Sequence, residues 1–322
     1  MSDILIRPYD NERDAEAAAR LLSWWYDATI QGEDFARRVR AWPDSCPASR
    51  YVAEKEGGVV GYGRSARLSE NPKDAFMVDM IVDPEHHGEG IGTALLAPNE
   101  AYAISHGARH AVSMVNERQP YALTAAQSWG YQEKTKFFQN AMNPQEFEAD
   151  LFRDYVESAE AAGFEITTLA ELGCSDQAKR AFWDSMDAAD RDTPTIEYFG
   201  FMSYEDFNSI EFEAEWFDPA GYFVVRYGDL VVATSSLQKY SKDFNGEMYV
   251  GFTGVRPEFR GRGLAMAIKT QTLEFAKQQG GTKLTTGINT DNDAMRAINR
   301  KLGFEEVEFQ SFVVKRFEEE LQ

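Results

Sequence analysis

Two stretches constrain this chain more than any other feature: VDPEHHGEGIG at 82–92 and VRPEFRGRGLA at 255–265. Each follows a β-rich apolar run and leads into a helical pattern, so each reads as a strand that turns through glycines into a helix. At a numbering offset of 173 (255 − 82) they align without a gap: Pro84 meets Pro257, Glu85 meets Glu258, Gly88 meets Gly261 and Gly90 meets Gly263. The register survives well beyond the turns, bringing Gly107 onto Gly280, Asn116 onto Asn289 and Trp129-Gly130-Tyr131 onto Leu302-Gly303-Phe304. A domain-sized period means duplication of a whole folding unit, since solenoid repeats run about 20–50 residues.

The flanking patterns agree. YVAEKEGGVVGYGRSARL and GYFVVRYGDLVVATSSLQ each hold two β-rich runs around a glycine turn, the signature of a hairpin. AFMVDMIV and EMYVGFTGV lead into the glycine turns, and RHAVSMV and TKLTTGI follow the helices behind them. A short helix closed by Gly130 or Gly303 and a last strand complete each copy. Between the copies, NPQEFEADLFRDYVESAEAAGFEI reads as an acidic helix closed by Gly163, too poor in Gly, Ser and Pro for a flexible linker. The expected division is 1–148, a helical connector at 149–163, and 164–322.

The 322 residues suffice for about two domains. No apolar run approaches the roughly 18 residues of a membrane span, and the N-terminus lacks the basic-then-apolar order of a secretory signal, so the expectation is a cytoplasmic protein with no membrane partner. Cys46 and Cys174 have no metal-type spacing and are expected as reduced, buried thiols. The four histidines lie between His86 and His110 without carboxylate or cysteine spacing to complete a site, so no metal is expected. A net charge of −20 repels nucleic acid and anionic membranes and would mildly attract a cationic small substrate, although solubility alone is the preferred explanation of it.

A strand that stops, turns through glycines and starts a helix aims free backbone N–H groups at one point, where the helix dipole adds positive potential. Such a point suits a phosphate or pyrophosphate, and side-chain-free residues let the oxygens reach the backbone. Arg260-x-x-Gly263-x-Ala265, followed by a helix, a strand and NTDNDAMRAINRKLGF, resembles the acetyl-CoA signature of the GCN5-related N-acetyltransferase superfamily. The first copy resembles it through the variant opening His87-x-x-Gly90-x-Gly92. The resemblance implies an α/β (α+β) fold of two tandem domains, each a mixed, mostly antiparallel twisted sheet flanked by helices.

It also implies a site. The pyrophosphate of acetyl-CoA, the co-substrate, would sit on the amides of Arg260, Gly261, Arg262, Gly263, Leu264 and Ala265. Pantetheine would pair like an added strand with Thr253, Gly254 and Val255, where an N–H near Val255 polarises the thioester oxygen. Asn289 or Asn292 would bond the pantetheine amides. The weaker counterparts in the first copy are Ile81, Val82, His87, Gly88, Gly90, Ile91 and Gly92.

The copies differ in charge. Arg260 and Arg262, with Arg256 and Lys269, form an expected basic patch, whereas the first copy has His87, Glu89, Asp83 and Leu96 there. Glu89 would repel a pyrophosphate, Pro98 would bend or shorten the helix, and Gln119-Pro120 replaces the start of the later helix at Asn292. The C-terminal copy is therefore expected to be catalytic and the N-terminal copy degenerate.

Transfer to an amine requires that the amine be neutral, and a lysine-like ammonium near pH 7 costs on the order of 4 kcal/mol to deprotonate without help. Strand alternation places Glu247 and Tyr249 on one face, making Glu247 acting through water the candidate base and Tyr249 the candidate acid. Asn299 stands where family members often carry a proton-donating Tyr; it can donate a hydrogen bond to the departing sulfur but no proton, and a plain helix-surface asparagine remains the alternative. The aromatic- and carboxylate-rich segments at 190–219 and 24–35 suit an acceptor site or a buried helix face. The expected function is acetyl-CoA-dependent N-acetyl transfer to a primary amine of a small molecule or peptide. A non-catalytic acyl-CoA-binding or sensing module is the reading from another class, and oligomerisation is left open.

Overall fold

The computed structural model describes residues 4–26, 29–67, 74–193, 196–200, 202–214, 217–239 and 245–317. The chain begins β1 (Leu5–Pro8), α1 (Ala15–Tyr26), α2 (Gly32–Arg40), β2 (Ala48–Lys55), β3 (Gly58–Ala66) and β4 (Ala75–Val82). It continues through α3 (Ile91–Ser105), β5 (His110–Asn116), α4 (Pro120–Ser128), β6 (Gln132–Met142), α5 (Arg153–Ala161) and β7 (Glu165–Thr168). Next come α6 (Asp176–Asp190), the short α7 (Ile196–Phe199) and α8 (Tyr204–Phe207), β8 (Tyr222–Tyr227), β9 (Leu230–Lys239) and β10 (Glu247–Val255). The last elements are α9 (Leu264–Gln278), β11 (Lys283–Asn289), α10 (Asp293–Lys301) and β12 (Glu305–Arg316).

Two compact units result. The first comprises Met1–Lys136, Glu197–Ile210 and Gln310–Gln322; the second comprises Phe137–Ile196 and Glu211–Phe309. This differs from the division expected at 149–163, for a reason visible in the pairing. β12, though it follows α10, pairs antiparallel with β5 from Gln310↔Asn116 to Arg316↔His110. β6, though it follows α4, pairs antiparallel with β11 from Leu284↔Met142 to Asn289↔Phe137. Each copy thus closes its parallel β-strand edge with the other copy's last strand, so neither β5 nor β11 is left with a row of unpaired N–H and C=O groups.

The first unit runs β1-β2-β3-β4-β5-β12 and the second β6-β11-β10-β9-β8-β7. Pairing is antiparallel except between β4 and β5 and between β10 and β11, the two connections that cross over through α3 and α9. The expected mixed, mostly antiparallel architecture with flanking helices is what forms. In the first unit Ala18, Leu21, Val52, Tyr62 and Ile81 bury one sheet face, and Ala53, Val60, Ile91 and Leu95 bury the other. In the second, Leu264, Ala267 and Ile268 of α9 pack on Phe223, Val225 and Val232. Each large apolar side chain so buried contributes about 1.5–3 kcal/mol.

The expected connector belongs to the second unit: Tyr155, Val156 and Ala159 of α5 join the same core cluster as Leu264 and Ile268. α3 continues through Pro98 as one helix instead of stopping. Proline leaves the Ala94 carbonyl, four residues back, without its helical donor, and the buried Asn99 donates from Nδ2 to the next carbonyl, Leu95 O, at 2.8 Å. Cys46 is buried and Cys174 half-buried, and neither forms a disulfide. Among the described residues no helix is long and apolar enough to cross a membrane.

Candidate functional site

Each glycine turn has the backbone needed to present amides. Gly261 and Gly263 both have φ +76°, and Gly263 caps α9 in the left-handed region; Gly88 and Gly90 repeat this at +80° and +84° before α3. Only glycine takes these values without strain, so these turns explain the glycine spacing. No Cβ contact would arise within 4 Å at Gly88, Gly90 or Gly261, whereas at Gly263 a Cβ would stand 3.2 Å from Tyr155 Cδ1. Tyr155 thus lies against the second turn, its hydroxyl accepting from Lys301 Nζ at 2.5 Å.

Behind each turn the two parallel strands part. β10 pairs with β11 only over Glu247–Tyr249, while its pairing with β9 continues through a bulge to Thr253↔Ser235, Gly254↔Thr234 and Val255↔Ala233. β4 likewise pairs with β5 only over Ala75–Met77. The β11-facing side of Thr253, Gly254 and Val255, and the β5-facing side of Ile81 and Val82, are therefore outside the ladder. These are splayed edges to which an extended ligand can add as a strand.

The charge contrast between the copies shrinks in three dimensions. Arg260 donates from Nε to Val255 O at 3.1 Å, from Nη1 to Asp192 at 2.6 Å and from Nη2 to Ala189 O at 3.1 Å. His87, its counterpart, lies with Nε2 2.9 Å from Val82 O. The first residue of each motif thus braces the carbonyl that ends the preceding strand. Arg256 turns to Val231 O and Asp184, and Lys269 is 1% exposed, so neither joins a basic patch at the loop. Exposed Arg262, over the Phe259 ring, is the cation that stays at the turn. In the first copy Glu89 is paired with Lys55 at 2.7 Å and with His86 at 3.3 Å, which offsets the repulsion expected from it.

The expected polar residues divide between the cleft and local structure. Asn292 caps α10, its side chain accepting from Met295 N at 3.1 Å, and Asn289 Oδ1 accepts from Asp291 N at 2.8 Å. Tyr249 is half-buried beside Gly287 of β11, and burial raises its phenol above the ordinary value. Glu247 begins β10 where it still pairs with β11, 3.7 Å from Lys283 Nζ. Asn299 is no surface residue: it is 1% exposed and accepts from Lys269 Nζ at 2.7 Å.

Sequence reasoning missed two polar clusters. In the second unit Glu211, on the π-helical turn Asn208–Phe212, accepts short hydrogen bonds from Tyr222 Oη and Gln238 Nε2. Gln238 lies in front of Gly251, where a Cβ would stand 2.9 Å from Gln238 Nε2. In the first unit Arg64 of β3, Asp79 of β4 and Ser113 of β5 form a connected set. Glu211 fell within the segment singled out at 190–219, but residues 194, 195, 201, 215 and 216 of it, and 27 and 28 of 24–35, lie outside the described residues. Half of that segment serves the other unit: Tyr198 packs on His110 and Phe312, and Asp206 accepts from Ser45 at 2.7 Å.

A cavity of about 370 Å³ runs through the splay of the first unit. One arm is walled by the glycine turn (Gly88, Gly90, Gly92) and α4; the other by Leu22, Trp24 and Trp25 of α1 with Tyr62, Arg64 and Asp79. Among the described residues no cluster of three or more His, Cys, Asp or Glu is arranged to hold a metal.

The family model for the acetyltransferase (GNAT) family matches residues 16–131 and again 183–304, one match per copy. Mycothiol acetyltransferase of Nocardiopsis dassonvillei is 27% identical over 285 residues, covering 83% of this chain and 82% of its own. That of Streptomyces avermitilis is 24% identical over 312 residues, covering 91% and 92%. Among solved structures, a GCN5-related N-acetyltransferase from Sphaerobacter thermophilus superposes with a TM-score of 0.72 at 18% identity, covering 97% of this chain and 95% of that one. A tandem GNAT protein from the clavulanic acid biosynthesis pathway does so at 0.70 and 18%, covering 98% of each. The fold is that of tandem GNAT proteins, and the chain belongs to the acetyltransferase (GNAT) family.

Proposed function

We propose that this member of the acetyltransferase (GNAT) family transfers an acetyl group from acetyl-CoA to a primary amine of a small molecule, and that the transfer takes place in the second unit. The observation that carries the reading is the splay of β10 from β11 after Tyr249, ending in a turn whose two glycines have φ +76°. Thr253, Gly254 and Val255 take the pantetheine arm as an added strand, and the amides of Arg260 to Ala265, with Arg262, take the pyrophosphate. A backbone N–H near Val255 polarises the thioester carbonyl.

The amine must lose a proton before it attacks. Glu211, which accepts from Tyr222 Oη and Gln238 Nε2 beside Gly251, is the proton acceptor on the opened part of the strand. Glu247 sits at the closed end, about 13 Å of strand from Gly251, and is the alternative base through water. The neutral amine attacks the thioester carbon, the tetrahedral intermediate expels the thiolate, and Tyr249, kept protonated by burial, supplies the proton that makes the free thiol. The extra proton on the acylated nitrogen then leaves through solvent and restores the phenol. Asn299 orients the sulfur through its amide, and Asn289 and Asn292 bond pantetheine. The first unit binds acetyl-CoA weakly through Ile81, Val82, His87, Gly88, Gly90, Ile91 and Gly92.

The test is thiol release from acetyl-CoA with a panel of amines; the name carried by the relatives puts a mycothiol-related amine first. Release with at least one amine, lost in Gly263→Trp and kept in Gly90→Trp, is the expected result. Binding of acetyl-CoA without release across the panel would establish the non-catalytic acyl-CoA-binding module instead. Loss confined to Gly90→Trp would move the transfer to the first unit.

A further inference from the structure

The polar cluster on the α1 side of the first unit's cavity has unused hydrogen-bonding capacity of both signs. Arg64 donates from Nε and Nη2 to Asp79 Oδ2 at 3.0 and 2.9 Å, and from Nη2 to Met77 S at 2.9 Å. A guanidinium has five N–H donors, so among the described residues both N–H groups of Nη1 are without a partner. Asp79 accepts twice at Oδ2 and once, from Ser113 Oγ at 2.8 Å, at Oδ1. A carboxylate has about four lone-pair directions, which leaves one at Oδ1. The pair is only partly exposed, 27% for Arg64 and 19% for Asp79, and both line the cavity.

The rest of that arm is apolar and aromatic: Leu22, Trp24, Trp25, Tyr62 and Ile81. A guanidinium and a carboxylate side by side, each with spare capacity, complement a group carrying a carboxylate and an ammonium together. The surrounding aromatics complement an apolar body attached to it. A simple amine would leave Nη1 without a carboxylate, and a simple acid would leave Oδ1 without a donor.

We propose that the first unit's cavity binds a free α-amino acid with a large apolar or aromatic side chain, its carboxylate on Arg64, its ammonium on Asp79 and its side chain between Trp24, Trp25 and Tyr62. The cavity of about 370 Å³ spans both arms and lies at the small end of the usual ligand-site range of about 300–1,000 Å³. Its α1 arm therefore takes a ligand no larger than a single amino acid and leaves the glycine-turn arm clear. The site goes beyond the transfer assigned to the second unit and stands whether or not that transfer occurs there.

The experiment titrates the full chain with L-phenylalanine, following tryptophan fluorescence, because Trp24 and Trp25 wall the site, and calorimetry. Phenethylamine, which lacks the carboxylate, and 3-phenylpropionate, which lacks the ammonium, are the comparison ligands. Saturable binding of L-phenylalanine, roughly tenfold or more tighter than either comparison ligand, is expected. That binding should vanish in the charge-neutral double variant Arg64→Gln/Asp79→Asn and weaken in Trp24→Ala. An unchanged melting temperature and acetyl-CoA affinity certify that each variant is folded; a variant that fails this is replaced by Trp25→Ala, which leaves the charge pair intact. Absence of saturable binding, equal binding of all three ligands, or full binding by the folded double variant overturns the proposal. Thiol release by the second unit is read separately, so failure of one reading leaves the other standing.

Discussion

Lys269 Nζ lies 2.7 Å from Asn299 Oδ1, with both side chains 1% exposed and the Phe304 ring 5.2 Å from the ammonium. The corresponding residues of the first copy are Leu96 and Ala126, of which Ala126 lines the cavity there. The protonated lysine has only donors, so it fixes the amide with Oδ1 toward itself and Nδ2 away, and that buried Nδ2 has no partner among the described residues. The arrangement leaves one buried N–H of Asn299 unused among the described residues.

Burial lowers the Lys269 pKa from 10.5 to about 7. Between those values the unfolded chain binds a proton that the native state does not, so this group makes stability rise with pH across that window, and its full penalty applies below it. Lys269→Leu/Asn299→Ala, the pair used by the first copy, should raise stability at pH 7 by a few kcal/mol and flatten the rise toward pH 10. Urea unfolding at pH 7 and 9 measures both. In the transfer assay the same variant should lose kcat, because the oriented amide is gone.

The glycine caps separate backbone strain from cofactor binding. Gly263→Ala and Gly90→Ala each force a left-handed alanine, costing about 1–2 kcal/mol, and both should lower the melting temperature. Only Gly263→Ala, whose new methyl also meets Tyr155, should raise the KM for acetyl-CoA. Equal KM changes would contradict transfer in the second unit.

Glu211→Gln keeps the shape but not the basicity of the group that Tyr222 and Gln238 hold. It should lower kcat by about 10²–10⁴ with little change in KM, and the alkaline limb of the rate profile should persist. Glu247→Gln should change kcat less than tenfold. The reverse ranking would return the base to Glu247.

Arg7 grips Asp14 through Nη1 and Nη2 at 2.7 and 2.8 Å, and Asp10 N donates to the same carboxylate at 2.8 Å. Burial pushes the Asp14 carboxyl up, but these donors more than reverse it, leaving its pKa lowered from 3.8. The stabilisation is therefore full above the unfolded value and is lost as pH falls through the folded one. Asp14→Asn should cost about 1.5–3 kcal/mol at pH 7, since Arg7 keeps Glu54 at 2.8 Å but loses its charge-assisted bonds to Asp14, and the difference should shrink near pH 3 in denaturant titrations.

Legibility followed range. The turns at Gly88/Gly90 and Gly261/Gly263, the hairpins and the helix stops at Gly130 and Gly303 are local, and their positions in the sequence told where the strands end. The tasks of Arg256, Arg260, Lys269 and Asn299 were not legible, because each depends on a neighbour supplied by another element: Val231, Asp192 and the Lys269–Asn299 pair itself. Arg64, Asp79 and Ser113 passed unnoticed because they stand on three separate strands and form no motif.

The amino-acid order by itself determined the duplication, the mixed architecture of each copy and the family, since glycine's access to positive φ and the periodicity of apolar residues act over a few neighbouring positions. Tertiary structure alone decided that β12 closes the sheet at β5 and β6 the sheet at β11, that Lys269 is buried against Asn299, and that the first copy has an aromatic cavity. Those outcomes depend on which edges, charges and volumes meet after residues on separate elements, from 30 positions apart at Lys269–Asn299 to 194 at Asn116–Gln310, are brought together, and no local pattern encodes them.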